Sequence, residues 1–136
     1  MGRFGAGTVP KKGQSPALLN GSGAEAVALE YLRGQGLVLI TRNFRCKGGE
    51  IDLVMLERRT LVLVEVRFRS SDKFGGAAAS VTPYKQRRII RAARYLLTQQ
   101  AALRRYPARF DVIAVTPEAG AWSIDWIRAA FDIAQR

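Results

Sequence analysis

The 136-residue chain contains no histidine and a single cysteine, Cys46. Without histidine, neither Ser-His-Asp nor Cys-His catalysis can operate, and a histidine-based metal centre is excluded. One cysteine permits no internal disulfide and has no histidine to activate it. Cys46 therefore reads as a bystander, and an intracellular, cytoplasmic setting is expected. Long apolar runs are missing as well. None approaches the roughly 18–20 residues that span a bilayer, and the N-terminus lacks the apolar core of a secretory signal. Acid is scarce: 22 Lys and Arg stand against 11 Asp and Glu, a formal charge of +11. Between Asp72 and Asp111 there is no acid at all, but nine bases. Such an excess raises affinity for polyanions without specifying a fold. Nucleic acid is the partner it favours, with ribosomal RNA and anionic lipid surfaces as competitors. Hydrolytic chemistry, if any, is left to carboxylates, lysine or arginine, and a metal.

What the chain does have is a central apolar hairpin. Residues 50–56 and 61–68 are rich in Val, Ile and Leu and flank the polar break at residues 57–60. Apolar residues fill odd and even positions alike, so both faces of the sheet should be covered. A turn centred between Arg58 and Arg59 opposes residues whose numbers sum to 117. Asp52 then faces Glu65 and Glu50 faces Arg67, all on one face, because side chains alternate along a strand. Opposed side chains have Cβ atoms about 4.5–5.5 Å apart, and like charges there destabilise the pair. Two such carboxylates require a shared proton or a cation between them. Hard cations such as Mg²⁺ suit acidic oxygens. The alternative is a structural ion-pair cluster in which Arg67 neutralises Glu50 and Glu65.

Around the hairpin, residues 1–21 are rich in Gly, Pro and Ser and read as a flexible basic arm, with one domain over 22–136. A first helix should run from Ser22 to Gly34, where Ser22 and Glu25 fit a capping box; Glu25 can instead point at the sheet. Residues 37–40 open the strand before the hairpin, and 70–80 read as a loop. Thr82 and Pro83 cap a second helix running to about residue 102. Its apolar stripe holds Ile89, Ile90, Ala93, Leu96, Leu97 and Ala101, with Lys85, Arg87, Arg88, Arg91 and Arg94 on the other side. No acid alternates with these bases, so the i,i+4 pairs of an ordinary solvated face are missing and a row of phosphates suits them better. Gln86 falls within the apolar stripe and is expected to reach inward. Residues 109–115 form a buried strand, and 122–127 a last, edge-type strand followed by a short helix over 128–136. The two tryptophans read as packing residues before base-stacking ones. The order helix, strand, hairpin, helix, strand, strand predicts a three-layer α/β protein around a mixed sheet.

The run Gly23-Ala24-Glu25-Ala26, Arg42-Asn43-Phe44-Arg45, Gly49-Glu50-Ile51-Asp52-Leu53, Val64-Glu65-Val66-Arg67, Ser80-Val81-Thr82 with Lys85-Gln86, and Arg109-Phe110-Asp111-Val112 resembles the YraN-like family of small proteins. That family is similar to the restriction-endonuclease-like superfamily, especially Holliday-junction resolvases. The resemblance implies an αβββαβ core and a PD-(D/E)XK site, with Asp52 as the first acid and Glu65-Val66-Arg67 as the second half. Glu25 matches a first-helix acid that joins the metal shell in resolvase-like members. Lys85 or Gln86 falls where relatives carry an extra polar residue. Arg67 departs from the signature lysine; arginine keeps the charge but cannot serve as a base near neutral pH. Resolvase-like relatives act as dimers on two-fold junctions, which leaves a homodimer open here.

Two readings follow. One is a Mg²⁺- or Mn²⁺-dependent nuclease acting on branched or otherwise structured DNA rather than RNA, with Asp52, Glu65 and Arg67 catalytic, Asp52, Glu65 and Glu25 on the metal, and Lys85, Gln86, Arg87, Arg88, Arg91 and Arg94 on nucleic acid. The other is a non-catalytic nucleic-acid-binding module with the same fold.

Overall fold

The computed structural model describes residues 2–10, 21–69 and 76–133. Six strands and two full-length helices build it: β1 (Gly2–Pro10), α1 (Gly21–Gly34), β2 (Val38–Cys46), β3 (Gly49–Glu57), β4 (Thr60–Phe68), the single turn α2 (Gly76–Ala79), α3 (Pro83–Gln99), β5 (Ala108–Glu118) and β6 (Ala121–Phe131), with a 3₁₀ turn over Ala101–Arg105. One mixed sheet runs in the order β1-β6-β5-β4-β3-β2. The β3–β4 hairpin is antiparallel, and α3 carries the chain across to β5, which lies parallel to β4. Helices cover both faces, giving the expected three-layer α/β arrangement with αβββαβ order from α1 to β5. No helix among the described residues is long and apolar enough to cross a membrane.

Each face has its own apolar layer, so the central strands carry hydrophobic residues at successive positions. On the α1 side Ala28 and Leu32 pack on Leu53, Met55, Val62, Val64 and both tryptophans. Trp122 and Trp126 are thus core residues, 1% and 3% exposed. On the α3 side Ile89, Ile90, Ala93 and Leu96 pack on Val54, Leu61 and Leu63. The start of α3 is set as its sequence dictates. Thr82 Oγ1 accepts from the Lys85 amide at 3.1 Å, Pro83 occupies the first turn, and the side-chain cap stabilises the helix by about 1 kcal/mol.

The hairpin register is the one that sums to 117, from Glu57↔Thr60 to Leu53↔Val64. Strict alternation, however, fails at Asp52. Gly49 faces α3, and so does Ile51, which packs in the α3-side layer. Further along, Val54 belongs to that layer, whereas Leu53 and Met55 belong to the other. The strand therefore inverts its faces between Ile51 and Leu53. β2 inverts with it: Asn43, flanked by the pairs Arg42↔Leu53 and Phe44↔Ile51, has φ 54°, a left-handed conformation that asparagine tolerates better than most residues. The inversion turns Glu50 away from Arg67. Glu50 pairs instead with its cross-strand neighbour Arg45, at 3.2 Å.

Other expectations need correction. Gly2–Pro10 is a strand antiparallel to β6, where an arm without regular structure is expected, and residues 11–20 lie outside the described residues. β6 is consequently an interior strand. It continues to Phe131 in place of the expected terminal helix, because Phe131 stacks on Phe110 at 4.9 Å in the core; residues 134–136 lie outside the described residues. Gly76–Ala79 forms a helical turn that buries Ala77, within the stretch read as loop, of which 70–75 lie outside the described residues.

The far end of the sheet is held by an ionic network. Asp111, fully buried, accepts from Arg109 Nε at 2.9 Å, Trp126 Nε1 at 3.0 Å and the Ala129 amide at 2.9 Å. Glu57 lies 2.7 Å from Arg109 Nη2 and 2.6 Å from Arg128 Nη2. Burial alone would raise the Glu57 pKa, but the two guanidiniums hold it below the ordinary glutamate value.

At the other end the contact between sheet and helix is backbone on backbone. A Cβ at Gly49 would run into the Arg88 carbonyl oxygen and stand 3.2 Å from the Ala92 amide nitrogen. Gly49→Ala is expected to destabilise the protein by about 1–3 kcal/mol, the usual cost of overpacking; urea unfolding that leaves the midpoint unmoved would contradict this packing.

Candidate active site

The inversion of β3 sets up the site. Beyond Leu53↔Val64 the strands no longer pair residue to residue, and Asp52 Oδ2 accepts the Val66 amide at 2.8 Å in place of a backbone carbonyl. This tethers Asp52 beside Glu65, and the two carboxyls lie within hydrogen-bonding reach of each other. Glu65 is 3% exposed. Its Oε2 lies 3.3 Å from Arg67 Nη1 and 3.7 Å from Lys85 Nζ. Its Oε1 is buried and receives no hydrogen bond from an N–H or hydroxyl donor among the described residues.

Buried acids so arranged hold protons tightly. Desolvation is the largest cause at Glu65; the charge of Asp52 adds to it and Lys85 and Arg67 offset part, leaving the pKa raised from 4.5 to about 7. Asp52 is also raised, again chiefly by burial, with the Val66 amide pulling the other way. Lys85 lowers both acids. Its own position is unusual. It sits in the first turn of α3, which carries no acid, so it opposes the helix dipole; the Glu65 carboxylate offsets that cost. The cap at Thr82 thereby delivers a lysine to the site from a helix, beside the arginine that β4 supplies.

Glu25 approaches from the α1 face. Its carboxyl hydrogen-bonds the Asn43 side chain and lies 3.9 Å from Arg42 Nη2; burial and the charge of Asp52 raise its pKa. Helix α1 starts at Gly21, one residue before the expected cap, and Glu25 belongs to the rim of the site. Among the described residues no three acidic, histidine or cysteine side chains form a ready metal cage, so Glu25 stands beside the Asp52–Glu65 pair and does not complete it.

The predicted basic stripe divides. Lys85 joins the acids. Gln86 does not: its Nε2 donates to the Val81 carbonyl at 3.0 Å and closes the turn before α3. Arg87, Arg91 and Arg94 are exposed, and Arg88 is half-buried with its guanidinium 6.0 Å from the Tyr84 ring. Arg91 lies over the β2–β3 turn, where a Cβ on Gly48 would stand 2.9 Å from its Nη1. The network around Glu57 and Asp111 is missed by sequence reasoning. Its one signal is an aspartate inside an apolar strand two residues after an arginine.

A three-layer α/β protein whose central hairpin brings two carboxyls into contact beneath a helix-borne lysine is the class that fold and site define. The model of the uncharacterised protein family UPF0102 matches residues 24–115, a span containing every residue of the site. A UPF0102 protein of Saccharophagus degradans is 50% identical over 113 residues, covering 83% of this chain and 92% of its own length. Another, from Cupriavidus necator, is 55% identical over 115 residues, covering 84% and 83%. The chain belongs to UPF0102, in keeping with the YraN-like resemblance.

The raised pKa of Glu65 carries a sign for stability. Between about pH 4.5 and 7 the folded protein binds the proton that the unfolded chain has lost. In chelator-containing buffer the melting temperature should therefore fall as pH rises through this window, and Glu65→Gln should flatten the slope. An identical slope in wild type and variant would contradict the assignment.

Proposed function

We propose that this chain is a divalent-metal-dependent nuclease that hydrolyses phosphodiester bonds, with Asp52 and Glu65 as the acids that hold the metal. One observation carries the reading: two carboxyls are forced together in a buried place, and an oxygen of one of them, Glu65 Oε1, is left without a hydrogen-bond donor. Two buried carboxylates in contact are costly unless a proton or a cation lies between them, and a hard cation is the partner suited to such an oxygen set. The residues present therefore fit Mg²⁺ or Mn²⁺, held by Asp52 and Glu65 with Glu25 alongside. Such an ion, when bound, polarises a phosphoryl oxygen and acidifies a coordinated water.

The remaining roles belong to side chains. Arg67, 3.3 Å from Glu65, steadies negative charge on the phosphate and is excluded as a base. Lys85 holds an ammonium at the same carboxylate and supplies the lysine that position 67 lacks. The exposed Arg87, Arg91 and Arg94 hold phosphates along the outward face of α3. The resemblance to junction resolvases makes branched DNA the first substrate to assay.

A second reading has one observation in its favour. Arg67 and Lys85 already stand at Glu65, so the acid is neutralised without a metal, as suits a binding module. The two readings part on carboxylate variants. For the nuclease, Asp52→Asn and Glu65→Gln each lower Mn²⁺- or Mg²⁺-dependent cleavage by at least about 100-fold, while affinity for DNA in chelator persists. Wild-type protein that binds DNA without cutting it, and loses binding only on substitution of Arg87 and Arg91, would establish the module instead.

A further inference from the structure

Further along the α3 face from the acids, a cavity of about 620 Å³ opens between the last turns of α3 and strands β5 and β6. Its size lies within the range of small-molecule sites, about 300–1,000 Å³. It exists because Ala93, Ala108, Ala129 and Ala130 line it, where larger side chains would close it. Leu63 and Leu97 supply apolar wall, and so do Phe110 and Phe131, whose rings stack at 4.9 Å and 14°. Two arginines reach the lining, but they are not equivalent. Arg109 is committed to Asp111 and Glu57. Arg94 is exposed. Asp132 brings a carboxylate to the same lining, so the cavity offers a flat apolar body a cation, Arg94, with one acid nearby.

The position of Arg94 gives the ligand its identity. Arg87, Arg91 and Arg94 fall at i, i+4 and i+7, on one face of α3. Lys85 meets the acid pair on the inward side of α3. Arg94, nine residues on, stands about 13.5 Å further along the axis and half a turn round it, so the stripe runs along the outward side and ends at the cavity. A polyanion lying along these guanidiniums reaches the cavity with a phosphate at Arg94. A flat ring attached to that phosphate is a nucleobase, which an aromatic and aliphatic slot accepts irrespective of its hydrogen-bonding edge.

We propose that this cavity is a nucleotide site, with an unstacked base between Leu97 and the Phe110–Phe131 pair and its phosphate on Arg94. For a polynucleotide the proposal rests on the nucleic-acid reading above. The same chemistry is presented by a free nucleoside monophosphate. Both sources are tested on the full chain in EDTA, so that cleavage plays no part.

The wild type is titrated with a fully paired DNA duplex, the same duplex carrying one unpaired adenine, AMP and inorganic phosphate. Capture from a polynucleotide predicts about tenfold tighter binding of the duplex with the unpaired base; capture of the free nucleotide predicts that AMP binds where phosphate does not. Ala108→Leu, at an exposed position on the cavity wall, should abolish either preference and leave affinity for the paired duplex unchanged. Arg94→Ala should weaken the unpaired-base duplex, or AMP, more than the paired duplex. Because Arg94 is on the surface, this arm reports even if Ala108→Leu does not fold. AMP binding without any duplex binding would keep the nucleotide site while removing the nucleic-acid reading. The proposal is overturned if both duplexes bind alike and AMP binds no better than phosphate, or if the preference survives Arg94→Ala.

Discussion

The enforced contact between the Asp52 and Glu65 carboxyls is the constraint around which the molecule is arranged. Left to solvent, two acids would part. Here Asp52 is tethered by the Val66 amide at 2.8 Å, and Glu65 is walled in by β4 and the start of α3. The strand inversion between Ile51 and Leu53 aims Asp52, while Glu50 is diverted to Arg45 and takes its charge elsewhere. A lysine in the first turn of a helix and an arginine on the strand then balance the pair. Each of these features is locally unfavourable or unusual, and each makes sense only in relation to the others. Local rules tend to be broken together where a site is built.

The hairpin carries acids at both ends, and their surroundings push them in opposite directions. Glu57 meets two arginines at 2.6–2.7 Å and is held ionised. Glu65 meets another carboxyl and holds its proton to near neutrality. At the far end the network ties β3, β5 and β6 into one ionic cluster and supports the fold. At the near end charge is left partly unanswered. The same residue type is held ionised in one place and protonated toward neutrality in the other, and what separates the cases is the partner and its distance.

Much of this was legible from residue order. The period-3.6 stripe with Thr82 and Pro83 located α3 to its first residue, and the symmetric pairing around Arg58 and Arg59 yielded the register from Glu57↔Thr60 to Leu53↔Val64, though not the inversion that brings Asp52 to Glu65. The mixed sheet followed from a helix lying between two apolar strands. What escaped depends on contacts distant in sequence. Gly2–Pro10 lacks any apolar pattern and becomes a strand only because β6 offers it an edge. β6 runs past Ile127 because Phe131 finds Phe110. The inversion at Asp52 is invisible to a rule of strict alternation; its traces, an asparagine able to take a left-handed φ and the two consecutive glycines where β3 begins, acquire meaning only once the strands are paired. Helical position places Gln86 inward but does not reveal the carbonyl of Val81 that its amide meets there.

The seat of α3 on Gly49 separates two properties that proteins often entangle. Since the helix is located by its own main chain against that of the sheet, its outward arginines are passengers with respect to placement. Exchanging them would change the charge of the outer face while the lysine at the head of the helix stays where it is. On the function proposed above, relatives would be free to diverge in what they hold without disturbing the chemistry they hold it to.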